Sequence, residues 1–492
     1  MASLRHRTIS GIFWSLLQNL GGGGISFIVT IILARILTPE MFGLIGMLAI
    51  FIQVSHTLVV AGFNQALIQK KNVDEDEFSS VFWLNLSLSV LIYAILFFLA
   101  PFIADFYHHP ILTKLTRVVS LVFIVNAFSY VQEARLRKEM QFRALTIIHI
   151  PSIAIAGVTS VIMAVLGCGV WSIIAMELVS RFAYAIQIWI YSRWKPLFVF
   201  DREKTKKLFS FGGKLMLSDL LNSVYQNIYL VIIGKFFPLG SVGYYQTAGK
   251  VVKTPSTTLS NALTSVVFPA FSSVQEDKKK LKEGYKKIVE QVLFWICPVF
   301  ILSAVLGVPL FRFVFGEKWL PSVPFFRLLC ISGIVYPLNS YNLTIVNVKG
   351  RSDISLNLEI VKKIITSVGI LVALPFGIWA LVTFQAINSV FACFLNSYFS
   401  GRFIAYPIIE QLKDILPIIG ISLISGATVF FVDYLLVGFP DWIRLLVGYG
   451  VGGGIYWFIA WLSDFSPYLD FVGILKAKMS HFYLEGKKVN YQ

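Results

Sequence analysis

Long apolar stretches alternate with short polar ones along the whole chain. Fourteen of them read as bilayer spans: Gly11–Leu33, Met41–Val60, Ser79–Ile103, Leu115–Tyr130, Ala144–Leu166, Val170–Tyr191, Leu208–Ile233, Tyr244–Ser272, Val289–Phe313, Val323–Val346, Ser355–Leu374, Ile378–Ser400, Ile415–Leu435 and Trp442–Leu462. A helix needs roughly 20 apolar residues to cross hydrocarbon. The pattern predicts an all-α integral membrane protein with about fourteen transmembrane helices, the fourth and eighth being the most polar.

The first twelve spans read as a six-span unit used twice. Leu37 and Gly43, after the first span, recur 200 residues later as Phe237 and Gly243. Arg117 before the fourth span recurs as Arg327 before the tenth, and Gly169 and Trp171 recur as Gly377 and Trp379. Six is even, so both copies enter the membrane from the same side and are related by a pseudo-twofold axis along its normal. The expected organisation is a first lobe over residues 1–192, a linker over 193–207, a second lobe over 208–402, and two extra spans with a tail over 403–492. A doubled unit of this kind suggests a transporter with a site between two lobes.

Charge tests the map independently. Lys and Arg collect in segments on one side of the membrane, about 28 against 7 on the other. Cytoplasmic loops carry this excess, so both termini are expected in the cytoplasm. The formal net charge of +16 is then mostly loop bias and attraction to anionic headgroups, and no nucleic-acid partner is expected. Hydrophobic residues make up 57% of the chain and charged residues 14%, which excludes an ordinary soluble domain. The first span is too long for a signal-peptide core and is expected to be retained. Cys168, Cys297, Cys330 and Cys393 lie in or beside spans without CxxC spacing and read as small buried residues. The basic run from Gln275 to Glu290 reads either as an amphipathic surface helix or as a solvated loop.

Charged groups inside the membrane are costly and mark function by default. Glu177 and Arg181 lie four apart in the sixth span, on one helix face. Lys214 and Asp219 lie in the seventh span, and Lys250 and Lys253 in the eighth. Neutral polar residues accompany them: Gln18 and Asn19 in the first span, Gln53 and His56 in the second, Asn222 and Gln226 in the seventh. Equivalent helices meeting across the pseudo-twofold axis would line one cavity. Its lysines outnumber its acids, which suits an anionic substrate such as a diphosphate.

Alternatives stand beside each reading. Glu177 with Arg181 is either a structural pair or a coupling pair with Asp219. Lys214, Lys250 and Lys253 either bind substrate or snorkel to the surface. Arg35 and Lys235 suit interface anchors, and His108-His109 lacks further metal-ligand spacing. Gly21–Gly24 in the first span serves either close helix packing or bending. No GxSxG, HExxH or phosphate-binding loop is present, so no enzyme and no cofactor are expected. Coupling to an H+ or Na+ gradient, or to the membrane potential, is compatible with these residues.

Four stretches carry a family resemblance: Thr8-Ile-Ser-Gly-Ile-Phe-Trp14, Leu33-Ala-Arg-Ile-Leu-Thr-Pro-Glu-Met-Phe-Gly43, Phe315-Gly-Glu-Lys-Trp319 and Lys349-Gly-Arg-Ser-Asp-Ile354. In order and spacing they resemble the Wzx-type polysaccharide flippases, nearest the colanic-acid-type branch. That branch falls within the multidrug/oligosaccharidyl-lipid/polysaccharide exporter superfamily. The resemblance spans roughly residues 1–400, while the last two spans match in topology only. It implies two six-helix lobes and alternating access in a bacterial inner membrane. It also implies movement of an undecaprenyl-diphosphate-linked oligosaccharide to the outer leaflet. Implied partners are that lipid-linked substrate, membrane lipids, and a polymerase and chain-length regulator of the same pathway. A cation-coupled multidrug antiporter of the same superfamily is the main rival, and a membrane glycan polymerase or ligase is a third class.

Overall fold

A computed structural model describes residues 2–60, 67–68, 70, 73–199 and 202–473. The described residues form helices without a strand. In the first half these are α1 (Ala2–Ile36), α2 (Pro39–Val60), α3 (Glu75–Tyr107), α4 (Ile111–Val119), α5 (Leu121–Lys138), α6 (Phe142–Val165), α7 (Trp171–Ser192), α8 (Arg202–Phe236) and α9 (Leu239–Ser273). In the second they are α10 (Lys278–Val305), α11 (Gly307–Phe315), α12 (Ser322–Val348), α13 (Ser352–Ala373), α14 (Ile378–Ile404), α15 (Ile408–Leu435) and α16 (Asp441–Leu462).

Eleven spans among the described residues are long and apolar enough to cross a membrane, with α4 and α5 together supplying one. The sequence reading adds α8, α9 and α13. These three fall short in apolarity because they carry the chain's polar and charged positions, such as Asp219, Lys253 and Glu359. The 35 residues of α8 extend about 52 Å, well beyond a hydrocarbon core of about 30 Å. Residues 278–290 are the first turns of α10, continuous with its membrane portion. Asp277 caps that helix, its carboxylate accepting from the backbone N–H groups of Lys279 and Lys280. The segment is therefore neither a separate surface helix nor a loop.

The chain divides into two compact units, Met1–Gln246 and Thr247–Gln492. The first includes α8 and the opening turns of α9, because α8 packs along α2. In this unit α6 packs against α1 and α7, while α3 and α7 flank α5. Gly157 of α6 admits the Val29 side chain, which would lie 2.6 Å from an added Cβ. Gly21 and Gly22 meet Ile150, His149 and Ile153 of α6, whereas Gly23 and Gly24 face open space. α1 runs through all four as one helix, so half of the run serves packing.

In the second unit α10 packs against α12 and α15, and α14 against α12. A buried polar network ties three of these helices together. The Tyr285 hydroxyl donates to Asn342 Oδ1 at 2.6 Å, and Asn342 Nδ2 donates to Ser397 Oγ at 2.9 Å. The pair α15–α16 is held to the rest of the unit at both ends. At the lysine-rich end, Lys282 pairs with Glu410 and Lys286 with Asp414. At the other, Asp441 lies 3.5 Å from both Arg312 and Arg444, and Arg444 forks onto Asp433.

The sequence repeat recurs as repeated local structure. Leu37 N–H donates to Leu33 and Phe237 N–H to Ile233; Met41 N–H donates to Thr38 and Ser241 N–H to Pro238. Arg117 Nε donates to the Phe97 carbonyl, and Arg327 Nε to that of Ala304. Gly169 and Gly377 both take positive φ, +57° and +90°, as the chain turns into α7 and α14.

Candidate functional site

The best-defined polar constellation lies inside the first unit. Glu177 and Arg181 stand one turn apart on α7, with Arg181 Nη2 2.9 Å and Nε 3.0 Å from Glu177 Oε1. Their side chains keep 44% (Arg181) and 47% (Glu177) of their surface open. The lipid-type stripe of α7 is Phe182, Ile186 and Ile190, about 100° around the helix from Arg181.

Neighbouring helices add to this face. His56 on α2 is within electrostatic reach of Arg181, Glu177 and Glu133. Its ring meets Tyr130 of α5 edge-on, with centroids 6.2 Å apart. Glu133, one turn beyond Tyr130, is held by Arg137 at 2.7 Å. On α6, His149 packs edge-on against Tyr184 of α7 at 6.0 Å, with Gly22 of α1 beneath it. An added Cβ at Gly22 would lie 3.0 Å from His149 Nδ1, so this glycine makes room for the ring.

The residues read from sequence distribute as follows. Glu177 and Arg181 are paired, and Gln53 is open on α2, one turn before His56. Gln18 is half-buried and Asn19 open on α1; Asn222 is half-buried, and Gln226 and Asp219 are open on α8. One turn of α2 is joined to α8 by Thr57 and Ser223, 3.0 Å apart. Lys214 lies on α8, but its side chain is outside the described residues, as is the tail beyond residue 473. Tyr130, Glu133, His149 and Tyr184 complete the constellation and escaped the sequence reading. Glu133 sits beside the basic run Arg135–Lys138, which reads as loop, and an aromatic in an apolar span gives no separate signal, whereas His149 carried the same polar signal as His56.

In the second unit, Lys250 and Lys253 lie one turn apart on α9 and both are open. α9 packs on α12 through another stripe: Gly333 receives Val252, and Ser256 donates to the Gly333 carbonyl at 3.3 Å. The lysines are thus turned away from that packed face. Lys250 is about 16 Å and Lys253 about 21 Å along the helix from Leu239, too deep for the helix end. Lys235, by contrast, sits at a helix end, where it donates to the Phe106 carbonyl at 2.6 Å and lies 3.2 Å from His108.

Comparison with known proteins extends these observations. A family model described as "Polysaccharide biosynthesis protein" matches residues 32–324. The chain is 28% identical over 370 residues to the lipopolysaccharide biosynthesis protein WzxC of Escherichia coli (strain K12), covering 73% of this chain and 74% of that one. It is 26% identical over 357 residues to the teichuronic acid biosynthesis protein TuaB of Bacillus subtilis (strain 168), covering 72% and 74%. In fold it matches the structure titled "Lipid II flippase MurJ, inward closed conformation". That match has a TM-score of 0.69 at 15% identity and covers 94% of this chain and 99% of the other.

Proposed function

The chain belongs to the polysaccharide biosynthesis protein family of multi-pass membrane proteins, and from that premise we propose that it is a flippase for undecaprenyl-diphosphate-linked oligosaccharides. The observation that carries the reading is the placement of Lys250 and Lys253, one turn apart and open, in the middle of α9. A cation within the membrane is costly and marks function by default, and two neighbouring ammonium groups suit a diphosphate.

In this mechanism the diphosphate sits against Lys250 and Lys253 of α9. The polyprenyl tail stays in the lipid while the headgroup crosses from the inner to the outer leaflet. Phosphate charge loses several kcal/mol of hydration on leaving water, and contact with the lysines offsets this loss. An inside-negative potential assists outward transfer, at about 2.3 kcal/mol per charge per 100 mV. The basic ends of the helices face the cytoplasm in this reading.

Replacing Lys250 and Lys253 together by Ala is expected to stop glycan export while protein remains in the membrane. Lipid-linked oligosaccharide should then build up on the inner leaflet. Undiminished export by the double variant removes the lysines from the mechanism. Drug resistance conferred without any glycan phenotype favours the antiporter reading instead.

A further inference from the structure

The open face of α7 differs in charge from α9, and this difference assigns it a separate ligand. Every acid in the α7 constellation is matched by an arginine one turn on: Glu133 by Arg137 and Glu177 by Arg181. His56 and His149 add rings without fixed charge. The constellation is therefore strongly polar yet neutral in sum. A diphosphate needs a net positive wall, which these residues do not form. A coupling cation needs a net negative one, which they do not form either. A neutral polyhydroxyl ligand fits, because each sugar hydroxyl both donates and accepts.

The geometry supplies the matching groups. Both nitrogens that Arg181 turns on Glu177 meet the same oxygen, Oε1. The guanidinium and carboxylate are thereby locked side by side, a donor edge beside an acceptor edge, with nearly half of each side chain open. A preorganised pair loses little freedom on binding. Gln53 and His56 present amide and imidazole groups from one open face of α2, and the buried Tyr130 ring backs that of His56 edge-on.

We propose that Glu177 and Arg181, flanked by Gln53 and His56, form the glycan-recognition subsite. They would contact sugar hydroxyls of the lipid-linked oligosaccharide. The proposal rests on the flippase reading, and it makes α7 the determinant of which glycan is accepted.

The test uses the full-length chain in lipid nanodiscs and two probes. One is undecaprenyl diphosphate; the other is lipid-linked oligosaccharide extracted from cells that lack this chain. The unaltered protein should bind the oligosaccharide lipid more tightly than the bare diphosphate. Glu177→Gln and Arg181→Lys should each weaken binding of the oligosaccharide lipid about tenfold, the loss expected for one charge-assisted hydrogen bond. Both variants should bind undecaprenyl diphosphate as the unaltered chain does, which also shows that they are folded. Equal weakening for both probes, no weakening for either, or no preference by the unaltered chain overturns the subsite. If the unaltered chain binds neither lipid, the flippase reading fails and the subsite falls with it.

Discussion

Gly43 and Gly243, 200 positions apart in the sequence repeat, pack directly against each other where α2 and α9 begin. A Cβ on Gly43 would lie 2.4 Å from the Leu239 carbonyl oxygen, and one on Gly243 would lie 2.0 Å from that of Pro39. Each would stand 3.3 Å from the other glycine's nitrogen. Pro39 and Leu239 are themselves 200 residues apart. The contact therefore maps onto itself when the two repeats are exchanged, and a local twofold axis runs between the glycines.

Alanine at either position meets backbone, which cannot rotate away. Gly43→Ala and Gly243→Ala should each destabilise the protein by about 1–3 kcal/mol, as overpacking does. Thermal unfolding of the purified chain measures this. The double variant should lose less than the sum, since one methyl already parts the helices. Strict additivity would show two independent sites instead of one crossing.

Arg444 and Asp433 form a forked pair with both contacts at 2.8 Å, joining α15 to α16. Arg444 retains only 6% of its side-chain surface. Arg444→Ala strands Asp433 and should cost about 3–5 kcal/mol. Replacing both partners by apolar residues, Arg444→Met with Asp433→Leu, should recover most of the loss. A double variant as unstable as Arg444→Ala would show that the pair does more than neutralise itself.

The Asn342 side chain serves three hydroxyls: it accepts from Tyr285 and Ser400 and donates to Ser397. Tyr285→Phe removes one bond and leaves Oδ1 accepting from Ser400, so about 1 kcal/mol is expected. Asn342→Leu removes the partner of the Tyr285, Ser397 and Ser400 hydroxyls, with only Ser400 keeping the Ser397 carbonyl as a second acceptor, and should be clearly worse, at about 1–3 kcal/mol per orphaned group. Equal melting temperatures for the two variants would argue against a shared network.

Gly169 and Gly377 open equivalent helices with different backbone strain. Gly169 sits at φ +57°, which other residues reach at modest cost. Gly377 sits at φ +90° and ψ −179°, a region essentially confined to glycine. Gly377→Ala should therefore lower the melting temperature more than Gly169→Ala. The reverse order would show that packing, not backbone strain, governs these turns.

Much of the architecture was legible because the membrane simplifies the problem. Length and apolarity mark a span in a uniform hydrocarbon solvent, and lysine bias marks its ends. Repeat positions such as Arg117 and Arg327 were readable one by one, and each proves to donate to a carbonyl of the preceding long helix. The Glu177–Arg181 pair was legible too, since four residues make about one turn and both residues are charged.

By itself, the sequence determined which segments are apolar helices, how they repeat, and which charged residues lie within them. Only the tertiary structure decided which residues meet across helices. It brought His56, Tyr130 and Glu133 to Glu177 and Arg181, made Gly22 the neighbour of His149, and set Gly43 against Gly243. The reason is physical. Facing lipid or facing protein, a membrane helix presents apolar side chains, so its rotation about its own axis leaves little trace in the pattern. That rotation is set by small residues and polar contacts on partner helices far away in the chain.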